Sequence, residues 1–486
     1  MSSIDELREI RLKKLQLLKD SGINPYPTSS NRQYSLRQVV DKFEDLKNEK
    51  SIVLAGRIMA LRTQGALAFC DLYDGTSKFQ GLAKKDEVGE MAFSLFCDAV
   101  DMGDFVELEG SLFISKRGEK TLLAKKWTML TKSLRPLPDK WEGLQDKEER
   151  LRLRYLDILT DNELQQLFIR KAKFWDVTRK FLKEKGFLEV ETPTLEITTG
   201  GAEARPFKTH HNDFDIDLFL RISVGELWQK RLMSAGFPKT FEIGRVYRNE
   251  GTSPEHLQEF TNMEFYMAYA DAKAGMELVK DLYRTIANEV YGKTKFSANG
   301  FQFDLNDEWQ EIDYVSKTKE ITGVDVLEAK NEEMIAKLKE LGVNYTGTNR
   351  ERLIDSLWKY CRKKIAGPAF LVNHPAIVAP LSKLNPSAPG RVSMFQPLIA
   401  GSEAGRGYSE LNDPIDQRAR FEEQQKLIDR GDEEAMMPDF EFVEMLEYGM
   451  PPACGFGFGE RVFAFFEGKP IRETQLFPLM RPLGER

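Results

Sequence analysis

Between Phe241 and Tyr269 the chain reads FEIGRVYRNEGTSPEHLQEFTNMEFYMAY, and three side chains in it could together hold a nucleotide. Arg248 offers a planar fork of donors that matches a phosphate or a carboxylate. Glu250 offers an acceptor for an adenine amino group, and the Phe260 ring is a face on which a base can stack. The spacing predicts the elements that carry them. Phe241, Ile243, Val246 and Tyr247 alternate as in a strand, and Gly251, Ser253 and Pro254 mark a polar loop. A second strand follows from about Glu259 to Tyr269. His256, Glu264 and Tyr266 stand among its apolar neighbours. The alternative is an ordinary hairpin with charged edges.

Two other blocks could serve the same ligand. GFLEVETPTL ends a long helical stretch with a strand, Phe187 to Thr192, that stops at Pro193. Gly455-Phe456-Gly457-Phe458-Gly459-Glu460-Arg461 precedes an apolar helix (Val462, Phe463, Phe465, Phe466). Glycine spacing lets a ligand approach the backbone, and an arginine opening a helix can meet a phosphate.

The chain has 486 residues and a formal net charge of -7, which excludes a generally basic nucleic-acid coat but not a local basic face. Cys70, Cys97, Cys361 and Cys454 lack metal-like spacing and fit scattered reduced thiols. No apolar run approaches membrane-spanning length, and the charged start MSSIDELREIRLKKLQLLKD lacks a signal-peptide core. A soluble cytoplasmic protein, with no membrane partner, is expected.

A first helix is predicted from Ser3 to Asp20, with a Ser3–Glu6 capping box and an apolar stripe of Leu7, Ile10, Leu15 and Leu18. Its basic face (Arg8, Arg11, Lys13, Lys14, Lys19) is solvated or meets phosphates. From about Ile52 to Thr131, five short strand candidates and a helical stretch, Glu87 to Ala99, fit a small OB barrel. Such barrels bind single-stranded nucleic acid by stacking and positive charge, and Arg57, Arg62, Phe69 and Gln80 lie on or beside the expected face. The expected organisation is a helical extension (1–50), the barrel (51–132), a linker (133–145) and a larger α+β domain (146–486) with a helical insertion at about 323–366.

In this order, behind a nucleic-acid barrel, the three blocks resemble the signature motifs of class II aminoacyl-tRNA synthetases. The barrel-first arrangement is similar to the subgroup charging Lys, Asp and Asn. The resemblance is strongest to its lysyl members, over nearly the full chain, through SLRPLPDKWEGLQDKEERLRLRYLDIL, GGAEARPFKTHHNDFDIDLFLRI, EFTNMEFYMAYAD, GYSELNDPIDQ and IRETQLFPLMRP. It implies an α+β fold, in which an N-terminal OB barrel precedes an antiparallel sheet flanked by helices. It also implies a homodimer, ATP and L-lysine as substrates, Mg2+ as cofactor and tRNA(Lys) as acceptor.

Residue by residue, the resemblance assigns Glu226 to the α-ammonium of lysine, Glu264, Glu410 and Tyr266 to the ε-ammonium, and Tyr408 to the aliphatic stem. A substrate with two ammonium groups and one carboxylate independently calls for acids at both ends and a cation near the middle. Arg248 would meet the substrate carboxylate and the α-phosphate. Asn249 and Glu250 would lie by the adenine, Phe260 would stack on it, and His256 and Arg461 would reach the terminal phosphates. Catalysis would then be positioning and charge neutralisation by Arg248, Arg461 and magnesium. In the barrel, Phe69 would stack on an anticodon base, with Arg57, Gln80 and Glu119 as base or phosphate contacts.

The chain departs from the family pattern in four places. Glu403 matches the second of two magnesium-holding glutamates, but the first position is Gln396. Arg406 replaces an asparagine beside the lysine carboxylate and could serve that contact with a full charge. Glu255-His256 replaces an Arg-His pair, and the glycine motif is one residue short. The competing readings are an asparaginyl or aspartyl enzyme, a paralogue that lysylates a protein, and a non-catalytic tRNA binder.

Overall fold

The computed structural model describes residues 4–138, 144–202, 204–251, 253–345, 347–430 and 436–484. The chain forms two compact units, Met1–Thr160 and Asp161–Arg486. In the first, strands Ile52–Gln64, Leu67–Tyr73, Lys78–Lys84, Phe105–Ile114 and Lys120–Thr131 close a barrel in which the fifth lies between the third and the fourth. Gly75 and Gly118 turn two of its corners at φ of 87° and 84°, a conformation that a side chain would strain. Helix Glu90–Ala99 packs Phe93 and Phe96 into a core with Leu54, Leu72 and Leu108.

The first helix, Ile4–Asp20, buries Leu18 of the expected apolar stripe in the barrel core, but its inward face also takes in Arg11 and leaves Ile10 out. Ile10 is 48% exposed, while Arg11 is buried and donates to the carbonyls of Met102, Ser133 and Arg135. Lys14 binds Asp101 at 2.7 Å. Two of the five residues of the expected basic face, Arg11 and Lys14, therefore anchor the helix, and Ser133 and Arg135, at the start of the expected linker, are tied to it. Ser3, the expected cap, lies outside the described residues.

In the second unit the main sheet runs Gln310–Asp313, Ala369–Val372, Met394–Ile399, Arg406–Ser409, Ala453–Gly459, Glu259–Ala268, Lys239–Tyr247 and Leu188–Glu189. Only the two terminal pairings are parallel. Helices Asn162–Glu184 and Ala272–Ile286 cover one face, where Phe174, Phe181, Val279 and Tyr283 pack on Phe265, Phe456 and Phe458. Between about 314 and 362, helices Tyr314–Thr322, Asn331–Glu340 and Arg350–Arg362 share a separate core around Leu338, Leu357 and Trp358. No helix of the described residues is long and apolar enough to cross a membrane.

The strand predicted from Phe187 to Thr192 is only Leu188–Glu189. The segment leaves the ladder because Thr192 donates its backbone N–H and its hydroxyl to Glu242 Oε2, at 3.0 and 2.7 Å. Glu242 Oε1 is bound 2.6 Å away by Arg221, and both side chains are buried. Removing one partner of such a pair costs about 3–5 kcal/mol. Arg221→Ala should therefore lower the unfolding free energy in urea by about that amount; a change below about 1 kcal/mol would contradict the buried pairing.

Candidate active site

The central strand of the site, Ala453–Gly459, lies between Arg406–Ser409 and Glu259–Ala268. The register sets Gly455 opposite Tyr266 and Tyr408, Gly457 opposite Glu264 and Arg406, and Gly459 opposite Asn262. Strand side chains alternate between faces, so these residues share the face away from the apolar core. The three glycines leave room there. A Cβ on Gly455 would stand 2.4 Å from Glu410 Oε1 and from the Tyr266 ring, and one on Gly457 would stand 2.7 Å from Glu264 Cγ. The result is a cavity of about 400 Å³.

One end of the cavity carries three buried carboxylates, Glu226, Glu264 and Glu410. Glu264 Oε1 accepts from Val224 N and Asn262 Nδ2, and its Oε2 accepts from the Tyr266 hydroxyl, each at 2.9 Å. Tyr408 donates a short hydrogen bond to Glu226 Oε1. Glu410 Oε2 pairs with Lys230 Nζ at 2.5 Å, while Glu410 Oε1 is buried and has no hydrogen-bond partner. Burial, with the nearby Glu226 charge, pushes Glu264 up to about 7. Burial pushes Glu410 up to about 8 against the opposing pull of Lys230. Both tyrosines are raised well above their usual range, mainly by burial, and stay protonated.

The hairpin strands Lys239–Tyr247 and Glu259–Ala268 supply the other end. Arg248 lines the cavity, donates from Nε and one terminal nitrogen to Ile222 O at 3.3 Å, and lies 5.4 Å from the Phe260 ring centre. Glu250, His256 and Arg461 line the same cavity, and Ser253 Oγ meets His256 Nδ1 at 2.7 Å. Arg461 donates to Glu403 O at 2.9 Å and faces Glu255 Oε2 at 3.5 Å. Gly459 lies against Phe260, which locates the hairpin end of the shortened glycine motif. Glu460, beside Arg461, is buried and ion-paired to Lys171.

Gln396, Glu403 and Arg406 also line this cavity. Burial pushes His374 down to about 3, so the ring is neutral, and its Nε2 lies 2.8 Å from Gln396 Oε1. That amide oxygen is thus already engaged as an acceptor. Glu403 Oε1 accepts from Trp358 Nε1 at 2.9 Å. No group of three or more metal-ligating side chains occurs among the described residues. One carboxylate suits a magnesium ion held largely by phosphates and water, but not a cage made by protein alone.

Two sequence-predicted residues stay apart from their groups. Asn249 is exposed and does not line the cavity. In the barrel unit, Phe69, Gln80, Glu119 and Arg62 line one cavity, but Arg57 is absent from it and stacks 4.5 Å above Phe105. Sequence reading missed Asn262 and Lys230. Asn262 sits two residues before Glu264 on the same strand face, and Lys230 one helical turn after Glu226; those spacings were the available signals.

Residues 146–481 match the model of the tRNA synthetases class II (D, K and N), and residues 52–130 match the OB-fold nucleic acid binding domain. The lysine–tRNA ligase of Thermotoga maritima is 42% identical over 487 residues, which cover 99% of this chain and 97% of that protein. The lysine–tRNA ligase of Roseiflexus sp. (strain RS-1) is 41% identical over 99% of each chain. That of Staphylococcus aureus (strain MRSA252) is 42% identical, over 97% of this chain and 98% of its own. The α+β architecture, the closed barrel, the match over the larger unit and these full-length likenesses agree: the chain belongs to the class II tRNA synthetases of the D, K and N group.

Proposed function

We propose that this chain is the enzyme that activates L-lysine with ATP and transfers the lysyl group to the 3' end of tRNA(Lys). The observation that carries the choice of lysine is the orphaned Glu410 Oε1, buried at the end of a cavity that also holds Glu226, Glu264 and Tyr266. A buried acceptor without a partner costs about 1–3 kcal/mol, more when charged, and an ammonium group removes that cost. An aspartyl or asparaginyl enzyme needs a cation or an amide reader at this end, where this chain places acids and a phenol.

In the first step a lysine carboxylate oxygen attacks the α-phosphorus of ATP, and the bond to the departing pyrophosphate breaks. In the second, the terminal adenosine hydroxyl of tRNA attacks the carbonyl carbon, AMP leaves and the hydroxyl proton is released. No side chain of the enzyme acts as a nucleophile. Glu226 takes the α-ammonium, Glu264, Glu410 and Tyr266 the ε-ammonium, and Tyr408 lies along the stem. Arg248 and Arg406 offset the substrate carboxylate and the α-phosphate. Phe260 carries the adenine, Glu250 accepts from its amino group, and His256 and Arg461 meet the terminal phosphates. Fixed charges aimed at developing charge are the main catalytic resource of such a site. Magnesium brought with ATP would be held by Glu403 and would neutralise phosphate charge.

In the barrel, Phe69 stacks an anticodon base while Gln80 and Glu119 read its surroundings. The protein works in the cytoplasm as a homodimer. Leu195, at the end of the GFLEVETPTL block, and Ile197, Phe214 and Phe237 are 44–71% exposed, and such exposed apolar side chains support pairing.

Glu255 places an anion beside the cation assigned to phosphate. The pair is exposed on both sides, so its worth is screened to about 0.2–1 kcal/mol. Glu255→Gln should lower the KM for ATP by up to about fivefold; an unchanged or higher value would show that Glu255 does not compete there. The function as a whole is tested by charging bulk tRNA with each of the twenty amino acids. Lysine alone should be attached. Attachment of aspartate or asparagine would overturn the assignment, and lysine reaching only a protein acceptor would favour the paralogue reading.

A further inference from the structure

Lys230 has no role in the reaction above, yet it is 1% exposed in the middle of the site. It follows Glu226 by one turn on helix Glu226–Ser234, with Nζ 2.7 Å from Glu226 Oε1 and 2.5 Å from Glu410 Oε2. Both glutamates line the cavity and Lys230 does not. Its ammonium therefore stands behind the carboxylates rather than in the space open to a ligand.

The groups facing it come from every neighbouring element. Strand Glu259–Ala268 presents Tyr266, with Glu264 beyond it, and strand Arg406–Ser409 presents Tyr408, followed by Glu410. Cys454 lies near Glu410, with its thiol pushed far up by burial, so it stays neutral. Helix Phe440–Tyr448 contributes only the Phe442 ring, 5.9 Å away, because its capping Asp439 is paired with Arg231 at 2.9 Å. Burial opposes the charge of Lys230, but Glu226 and Glu410 outweigh it and hold the ammonium above the ordinary lysine range.

Glu226, Glu264 and Glu410 thus share one fixed cation, Lys230, at their end of the cavity, while Arg248 and Arg406 line its other part. A substrate with two ammonium groups and one carboxylate brings one net positive charge. We propose that Lys230 is a positioning residue that sets this balance: with one shared ammonium behind them, Glu226 and Glu410 shed at most one proton to face a bound lysine as carboxylates. The proposal rests on the lysine reading above. Without that cation, two buried carboxylates sharing a site cannot both ionise near neutral pH, and a proton takes its place. That extra proton must leave before a substrate ammonium can enter.

Calorimetry of lysine binding to the full chain, in buffers of different ionisation enthalpy, counts the protons released, and the KM for lysine is followed from about pH 6 to about pH 9. The wild type should release at most about one proton at neutral pH. Lys230→Met should release about one more, and its KM profile should move up by about one pH unit or more while approaching the wild-type value at high pH. Lys230→Arg, which keeps the cation, should retain the wild-type count. A Lys230→Met defect of the same size at every pH means that the side chain only packs, and overturns the proposal. So does release of about two protons by the wild type, a measurement that needs no variant to fold. Failure of the wild type to bind lysine overturns the lysine reading and this proposal together, whereas lysine binding with either of the other adverse results overturns this proposal alone.

Discussion

Replacing Arg248 with alanine is expected to lower kcat/KM for lysine-dependent ATP–pyrophosphate exchange by about 10²–10³-fold while the fold stays intact. The guanidinium makes two long hydrogen bonds, both to the single carbonyl of Ile222, and no ion pair within 4 Å among the described residues. Its charge is therefore not spent on structure, and little stability depends on it. It lies over Phe260 in the cavity that holds the three glutamates, where a carboxylate and an α-phosphate would each need a bidentate cation. Removing a preorganised donor from a site shielded from water costs far more than removing one from the surface. A loss under about tenfold, or a loss matched by unfolding, would show that Arg248 is not the group that offsets the reacting charge.

Glu410→Gln is expected to raise the KM for lysine about 10–100-fold, with a smaller effect on the KM for ATP, because a hydrogen bond to a charged partner is worth about 1.5–3 kcal/mol. The same group makes lysine binding depend on pH. With Glu264 pushed up to about 7 and Glu410 to about 8, mainly by burial, the empty site holds a proton near neutrality. An ammonium group binds the ionised form, so protons compete with lysine below those values. The KM for lysine should fall as pH rises from about 6 to about 8 and then level off; in Glu410→Gln the upper part of that fall should disappear. A wild-type KM that is flat over this range, or that rises with pH, would contradict protonation of the empty pair.

The hairpin and barrel were legible because half-buried strands alternate with period two and their corners need glycine: the strands Lys239–Tyr247 and Glu259–Ala268 and the turns at Gly75 and Gly118 follow directly from the residues. The glycine-spaced strand was legible as a place of close approach, but not as the groove that seats Glu410, Tyr266 and Glu264. That depends on which strands flank it, and pairing order is a tertiary property. Arg11 and Lys230 went unrecognised for one reason. A charged residue on a helix is ordinarily solvated, and only long-range partners, Ser133 for one and Glu410 for the other, make burial tolerable. The break after Glu189 was hidden likewise, since it follows from a carboxylate 50 positions away, Glu242, claiming Thr192. The roles of Glu226 and Glu410 came from the family resemblance; no local pattern separates them from surface acids.

The central claim is that three buried acids gathered in one cavity choose a diamino acid beside bound ATP. The most direct measurement is pyrophosphate exchange driven by lysine, by norleucine, which lacks the ε-ammonium, and by aspartate. Exchange with lysine, falling by about 10³-fold or more with norleucine and absent with aspartate, is the expected result. Norleucine within about tenfold of lysine, or aspartate as the better substrate, would contradict it.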